Sequence, residues 1–299
     1  MKRKPVGSAA PLPTASDRAA ASAALLAHRG PDGRMPVHAY QKWQGPLWTF
    51  ACLAEIGHRE GDRSLLPLRN QFREWLFAER HLQPPHSLLI PGQEDRFRRC
   101  ACQEGFQAWS EMRLGIADGT TEELILRLKR WQWPDGGWNC DKRSEARTSS
   151  FMETLAPLRA LALHAKLTGS RSSKVAARRA AEVFLQRRLF RRRRDGAVID
   201  PRFLLLSFPH FWPYDILFGL QVMAEAGFIG DPRCSEALDL LEAKRRGDGG
   251  WPLEQKVWKA AGSFVSRGTF YDWGPAGKSR SNPWVTERAR RVLEAAGRA

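Results

Sequence analysis

Apolar residues recur at three- and four-residue steps in five stretches of the chain, Gly45–Gly57, Glu104–Gly115, Met152–Gly169, Tyr214–Gly227 and Thr286–Gly297. That spacing lines one face of a helix, and the closing glycine supplies the left-handed residue on which many helices end. More polar and basic helical stretches alternate with them, at Arg63–Phe77, Thr121–Trp133, Ser172–Phe190 and Asp231–Arg246. Thr121-Glu-Glu and Asp231-Pro begin two of these with helix N-terminal signals. Strand-like alternation is nearly absent. The pattern predicts four helical hairpins and a final half, at a spacing of about 55 residues, near the range of helical repeats.

A hairpin with one apolar face cannot bury it alone, so the copies must stack, as an open solenoid or as a closed ring. Apolar first helices and basic second helices fit an inner and an outer layer. The expected fold is therefore all-α, an α/α toroid, with a central apolar cavity lined by the N-terminal ends of the inner helices. Residues 1–30, rich in Ala and Pro after a basic start, are expected to form a disordered tail. Residues 31–299 are expected to form the single toroid domain.

Two of the basic stretches run into one motif. Arg130–Asp141 reads RWQWPDGGWNCD, and Lys244–Glu254 reads KRRGDGGWPLE. The glycines allow a tight turn with positive φ, the Asp can cap backbone amides, and the Trp can pack between neighbouring hairpins. The first copy resembles the QW motif of squalene–hopene and oxidosqualene cyclases and the repeats of protein prenyltransferase β subunits. Gln132 stands for the Gln, and Gly136 and Trp138 for the Gly-x-Trp part; Arg245 replaces the Gln in the second copy. As a repeat pattern the resemblance covers residues 36–299. Together with Cys100–Gly105, Ser149–Thr154 and Val198–Phe203, it extends to bacterial proteins labelled squalene-cyclase-like or prenyltransferase-like. It implies the α/α toroid of the terpenoid cyclase and prenyltransferase superfamily, and isoprenoid chemistry. The cyclases' Asp-x-Asp-Asp acid is missing, and the Asn139-Cys140-Asp141 order departs from the prenyltransferases' zinc-binding Asp-x-Cys.

Composition changes this picture in two places. Twelve Trp against three Tyr suit a thick core or an aromatic-lined cavity. A net charge of +16 points to an anionic partner. The basic run Arg187–Asp195 suits a solvated face or peripheral contact with a membrane surface. Nucleic acid is disfavoured, because Phe190 is its only aromatic residue. The longest strongly apolar stretch, Phe203–Tyr214, is too short to span a bilayer, and five cysteines show no disulfide framework, so a cytoplasmic location is expected.

Candidate chemistry gathers at the starts of the inner stretches, where Gln44, Glu104, Glu153, Asp215 and Glu287 stand. Such residues cap first turns. Converging on one mouth, clustered carboxylates would repel, and one would keep its proton as a general acid. The catalytic candidates are thus Glu104, Glu153 and Asp215, with His210 and Tyr214 from the proline-broken segment Val198–Asp215. Trp109, Phe151, Trp212 and Tyr214 could stabilise a cation by their ring faces, and Gln103 joins them as a substrate-binding candidate. No cofactor is required by this chemistry. Cys100, Cys102 and Cys140, with Asp141 or His210, form the one zinc candidate, weighed against buried cysteines acting as small hydrophobes. The expected function is acid or carbocation chemistry on an isoprenoid or other apolar small molecule. The alternative is a non-catalytic toroid that binds or scaffolds.

Overall fold

The computed structural model describes residues 10–79 and 85–298. Its elements run α1 (Ala15–Leu26), α2 (Pro46–Ile56), α3 (Leu66–Leu76), α4 (Pro85–Leu88), β1 (Leu89–Ile90), β2 (Gln93–Phe97), α5 (Ala101–Arg113), α6 (Gly119–Arg130), α7 (Phe151–Thr168), α8 (Arg171–Leu185), α9 (Ile216–Glu225), α10 (Ser235–Ala243), β3 (Lys259–Ala260), β4 (Gly268–Thr269) and α11 (Pro283–Ala295). Helices α2, α5, α7, α9 and α11 fall on the five apolar stretches, and α3, α6, α8 and α10 on the basic ones. Every residue of α2 is buried, whereas α8 keeps one face in solvent.

The fold class differs from the expected all-α toroid in three respects. Strands β1 and β2 pair antiparallel, and β3 and β4 pair parallel, so the helices are mixed with two small sheets. Long irregular segments separate α8 from α9 and α10 from α11. Pro201, Pro209, Pro213 and Pro252 stand there, and a proline lacks the N–H that would continue a helix. Finally, no closed ring of helices is shown. Packing passes from α2 to α5, α5 to α7, α7 to α9 and α9 to α11, and no comparable helix packing joins α11 back to α2. Those two are linked by side chains, Arg288 and Arg18, described below.

Residues 10–30 also depart from expectation, since α1 lies where a disordered tail was predicted; residues 1–9 lie outside the described residues. Thr14 and Asp17 form a reciprocal capping box, and an alanine-rich run has high helix propensity. Ala21 and Leu25 are buried, and α1 packs on α2.

The expected central apolar cavity is filled. Trp43 stacks on Phe211 at 4.5 Å and meets Trp48 at 4.8 Å. Trp48 touches Phe106, and Phe106 continues to Phe218, on which His210 stacks at 4.5 Å. All six side chains are buried. Ten of the twelve tryptophans are buried, and the inner faces carry rings large enough to meet in the middle.

The two Asp-Gly-Gly-Trp turns are one structural unit used twice. Trp138 Nε1 donates to the Leu128 carbonyl at 3.1 Å, and Trp251 Nε1 to the Leu241 carbonyl at 2.6 Å, each near the end of the preceding outer helix. The Trp138 amide donates to Thr154 Oγ1 and the Trp251 amide to Thr286 Oγ1, each in the first turn of the next inner helix. Asp135 accepts from the Ser149 hydroxyl, and Asp248 from the Ser281 hydroxyl. Gly136 takes φ 104°, and a Cβ there would lie 2.1 Å from the Arg179 carbonyl oxygen, so no other residue fits without moving α8.

Candidate functional site

A cavity of about 670 Å³ opens where the C-terminal parts of α2, α5, α7, α9 and α11 meet, at the opposite end from the predicted mouth. Its placement follows from helix termini. The last carbonyls of each helix have no intrahelical partner and carry partial negative charge, so cations gather around them. Arg18 Nη1 donates to the Ile56 carbonyl at 2.9 Å, and Arg288 Nη2 donates to the Glu55 carbonyl. Both arginines therefore cap α2, which ends at Gly57 in the left-handed conformation.

The cavity floor is a buried network centred on Glu55. Its Oε2 accepts from Arg159 Nη1 at 2.7 Å, while Oε1 accepts from Gln221 Nε2 at 2.8 Å and lies 3.1 Å from Arg288 Nε. Arg159 binds Glu225 with its other donors, Nη2 to Oε1 at 2.6 Å, and its guanidinium lies 3.6 Å from the Trp109 ring centroid. Burial alone would raise the Glu55 carboxyl, but the Arg159 and Arg288 guanidinia hold it well below the usual carboxylate range. Glu55 is therefore an anion at neutral pH. Desolvation lowers Arg288, while Glu225 and Glu55 outweigh desolvation to raise Arg159.

Two features of the cavity are unspent. Gln221 Oε1 is buried and accepts no hydrogen bond among the described residues. The lining also has more cations than carboxylates. Arg18, Arg113, Arg159, Lys166, Arg288 and Arg291 face Glu55 and Glu225, with Glu287 behind them binding Arg18 and Arg291. Five helix ends contribute about half a negative charge each. Of the cations at the mouth, Arg113 pairs with Glu60 at 3.0 Å and Arg291 with Glu287 at 2.7 Å, while Lys166 has no carboxylate within ion-pair distance among the described residues.

Of the cavity-floor residues, Trp109 alone was singled out in the sequence, and not Glu55, Arg159, Gln221, Glu225 or Arg288. A signal existed: Glu55 and Arg159 are single charges inside the apolar runs FACLAEIG and LAPLRALAL. A charge on an otherwise buried helix face needs a partner, which here comes from another helix.

The predicted acidic ends each take partners of their own. Glu104 is buried in ion pairs with Arg99 and with Arg127, the latter at 2.9 Å. Asp215 is the N-cap of α9, accepting from the Phe218 amide at 2.9 Å and from the Ser207 amide at 3.0 Å. Burial raises its carboxyl, opposed by His210 and by the Ser207 bonds. Gln44 spans Ser263 and Val265, and Glu287 turns to the arginines at the other end. Glu153, unlike Glu104 and Glu287, has no ion-pair partner among the described residues. It accepts from the Cys102 amide at 3.2 Å, Trp212 Nε1 at 3.5 Å and Cys140 Sγ at 3.6 Å, and burial raises its carboxyl.

The remaining candidates are mostly core. Tyr214 donates its hydroxyl to the Leu189 carbonyl at 2.7 Å and packs with Phe151, Phe184 and Phe203. Trp109 is the exception, lining the cavity with the Arg159 guanidinium against its ring. Trp212 is half-buried beside Lys42, and Gln103 bonds to Tyr40. His210 is buried with its Nδ1 3.7 Å from Glu55 Oε1, and neither ring nitrogen makes a hydrogen bond among the described residues.

The three cysteines do meet, as a chain. Cys140 bonds to Cys100 and to Glu153, and Cys102 bonds to Glu153 from the other side. The Cys100 bond and burial push the Cys140 thiol up. Among the described residues no group of three or more His, Cys, Asp or Glu is placed to hold a metal ion. A chain of pairwise contacts does not put several ligands at one point, as tetrahedral zinc requires. No described helix is long and apolar enough to cross a membrane. No protein-family model, curated protein or solved structure matches the chain.

Proposed function

We propose that this protein binds a small anionic ligand in the cavity at the C-terminal ends of the inner helices. The observation that carries the reading is the excess of cations over carboxylates in the lining, with Lys166 at the mouth free of any ion-pair partner among the described residues. The floor is preorganised, since Arg159 is locked by two carboxylates and a ring face. The unpartnered Gln221 Oε1 suits a ligand that also bears a hydroxyl or amide donor. A phosphate, diphosphate or carboxylate fits this chemistry. Binding without catalysis is the form of the reading that the filled aromatic centre favours.

Calorimetric titration with inorganic phosphate, pyrophosphate, citrate and a short prenyl diphosphate tests it. We expect saturable binding of at least one of these anions, weakened about tenfold or more by Lys166→Glu with Arg291→Glu, because charge-assisted hydrogen bonds are lost. The reading fails if none binds, or if the double variant binds as well as the parent.

Glu153 favours a second reading, acid catalysis on an isoprenoid. Burial raises the Glu153 carboxyl, which favours the protonated form that a general acid needs, whereas Glu104 is engaged by two arginines. Conversion of a prenyl substrate that is abolished by Glu153→Gln and retained by Glu104→Gln supports it; activity retained in Glu153→Gln rules it out.

A further inference from the structure

We infer that the outer face formed by α6 and α8 is a peripheral docking surface for an anionic lipid bilayer. On α8, Arg171, Lys174, Arg178 and Arg179 recur at steps that place them on the exposed side of the helix. Lys129 and Arg130 extend this face from the last turn of α6. The two helices pack together, and Lys129 Nζ reaches the Ser172 hydroxyl at 3.1 Å. None of these six cations has a carboxylate within ion-pair distance among the described residues.

The arginine run that stands out in the sequence is a weaker candidate for the same role. Arg191 and Arg188 are paired with Glu236, and Arg192 and Arg194 with Asp195. The acids of α6, Glu122 and Glu123, lie toward its N-terminal end, away from Lys129 and Arg130, and Glu122 is bound to His164. On this outer face the cations without an ion-pair partner among the described residues are those of α8 and the end of α6.

Charge alone would suit any polyanion. Two exposed apolar side chains favour a bilayer. Val175 is 54% exposed between Lys174 and Arg178, and Leu126 is 58% exposed one turn before Lys129 and Arg130. Apolar side chains interleaved with cations match the boundary between headgroups and acyl chains. No aromatic ring is exposed there to stack on bases, which a single-stranded nucleic acid would use. With no described helix able to cross a membrane, the contact is peripheral. Each basic residue near an anionic surface strengthens binding by about fivefold, so a six-cation face suffices for measurable association at moderate salt.

The test is co-sedimentation of the full chain with vesicles of phosphatidylcholine alone or with about 30 mol% phosphatidylserine. Parent protein is expected on the anionic vesicles only, and to be released as salt rises toward about 1 M. K174E/R178E should lose binding by at least about tenfold with an unchanged melting temperature. K174Q/R178Q, which leaves no reversed charge, should lose several-fold less. Leu126→Ser should weaken vesicle binding while leaving oligonucleotide retention unchanged. Equal binding to both vesicle types, anionic binding unaffected by K174E/R178E, or tighter retention by a single-stranded oligonucleotide than by anionic vesicles would each overturn the inference.

Discussion

Trp138 and Trp251 occupy the same place in two copies of one turn, each tying the end of an outer helix to the start of the next inner helix. Their indole N–H groups bond to Leu128 and Leu241, and their amides bond to Thr154 and Thr286. Both rings are fully buried. We expect Trp138→Ala and Trp251→Ala each to cost about 3–5 kcal/mol, by leaving a cavity and an orphaned carbonyl. A urea melt that gives less than about 1 kcal/mol for either would show that the turn is held by its other bonds.

Glu55 binds two buried guanidinia, so Glu55→Gln leaves Arg159 and Arg288 short of a counter-charge. The expected loss is about 3–5 kcal/mol, far more than an exposed pair would contribute. Glu55 also sets a pH dependence. Its folded carboxyl titrates below the unfolded one, so its stabilisation is present above about pH 4.3 and fades as pH falls through the depressed folded value. Comparing acid melts of the parent and Glu55→Gln isolates this contribution; identical pH profiles would contradict it.

Glu153 acts in the opposite sense. Burial raises its folded carboxyl above the unfolded value. Its contribution is therefore fully present below about pH 4.3 and is lost as pH rises through the raised folded value. Replacing it with Gln should flatten the stability profile on that rising side and leave the neutral-pH fold intact. Midpoints of denaturant unfolding between about pH 4 and pH 8 provide the check, and an unchanged slope would remove Glu153 as the titrating group.

The cysteine chain predicts indifference to chelators. Cys100, Cys140, Glu153 and Cys102 are linked in sequence rather than around a point, so EDTA should leave the melting temperature unchanged. Purified protein that carries stoichiometric zinc, and melts lower without it, would show that the thiols rearrange around a metal.

Periodicity alone located the inner and outer helices, though not α1. Apolar steps of three and four placed α2, α5, α7, α9 and α11, because burial of one face is a local consequence of side-chain order. Repetition of Asp-Gly-Gly-Trp likewise announced a shared turn, since positive φ at Gly136 and Gly249 is a property of the glycines themselves. The closed toroid and its apolar cavity were not determined this way. Whether stacked hairpins close depends on segments without periodicity, and here α1, two small sheets and long proline-broken loops occupy that space. The candidate site shows the same division. First-turn acids such as Glu104 and Asp215 were visible by position, yet their partners Arg99, Arg127 and Ser207 became partners only through folding. Glu55 and Arg159 are 104 residues apart in the chain and meet at 2.7 Å. Only tertiary structure could decide that, because the attraction joining them is built from a desolvated environment that neither helix possesses alone.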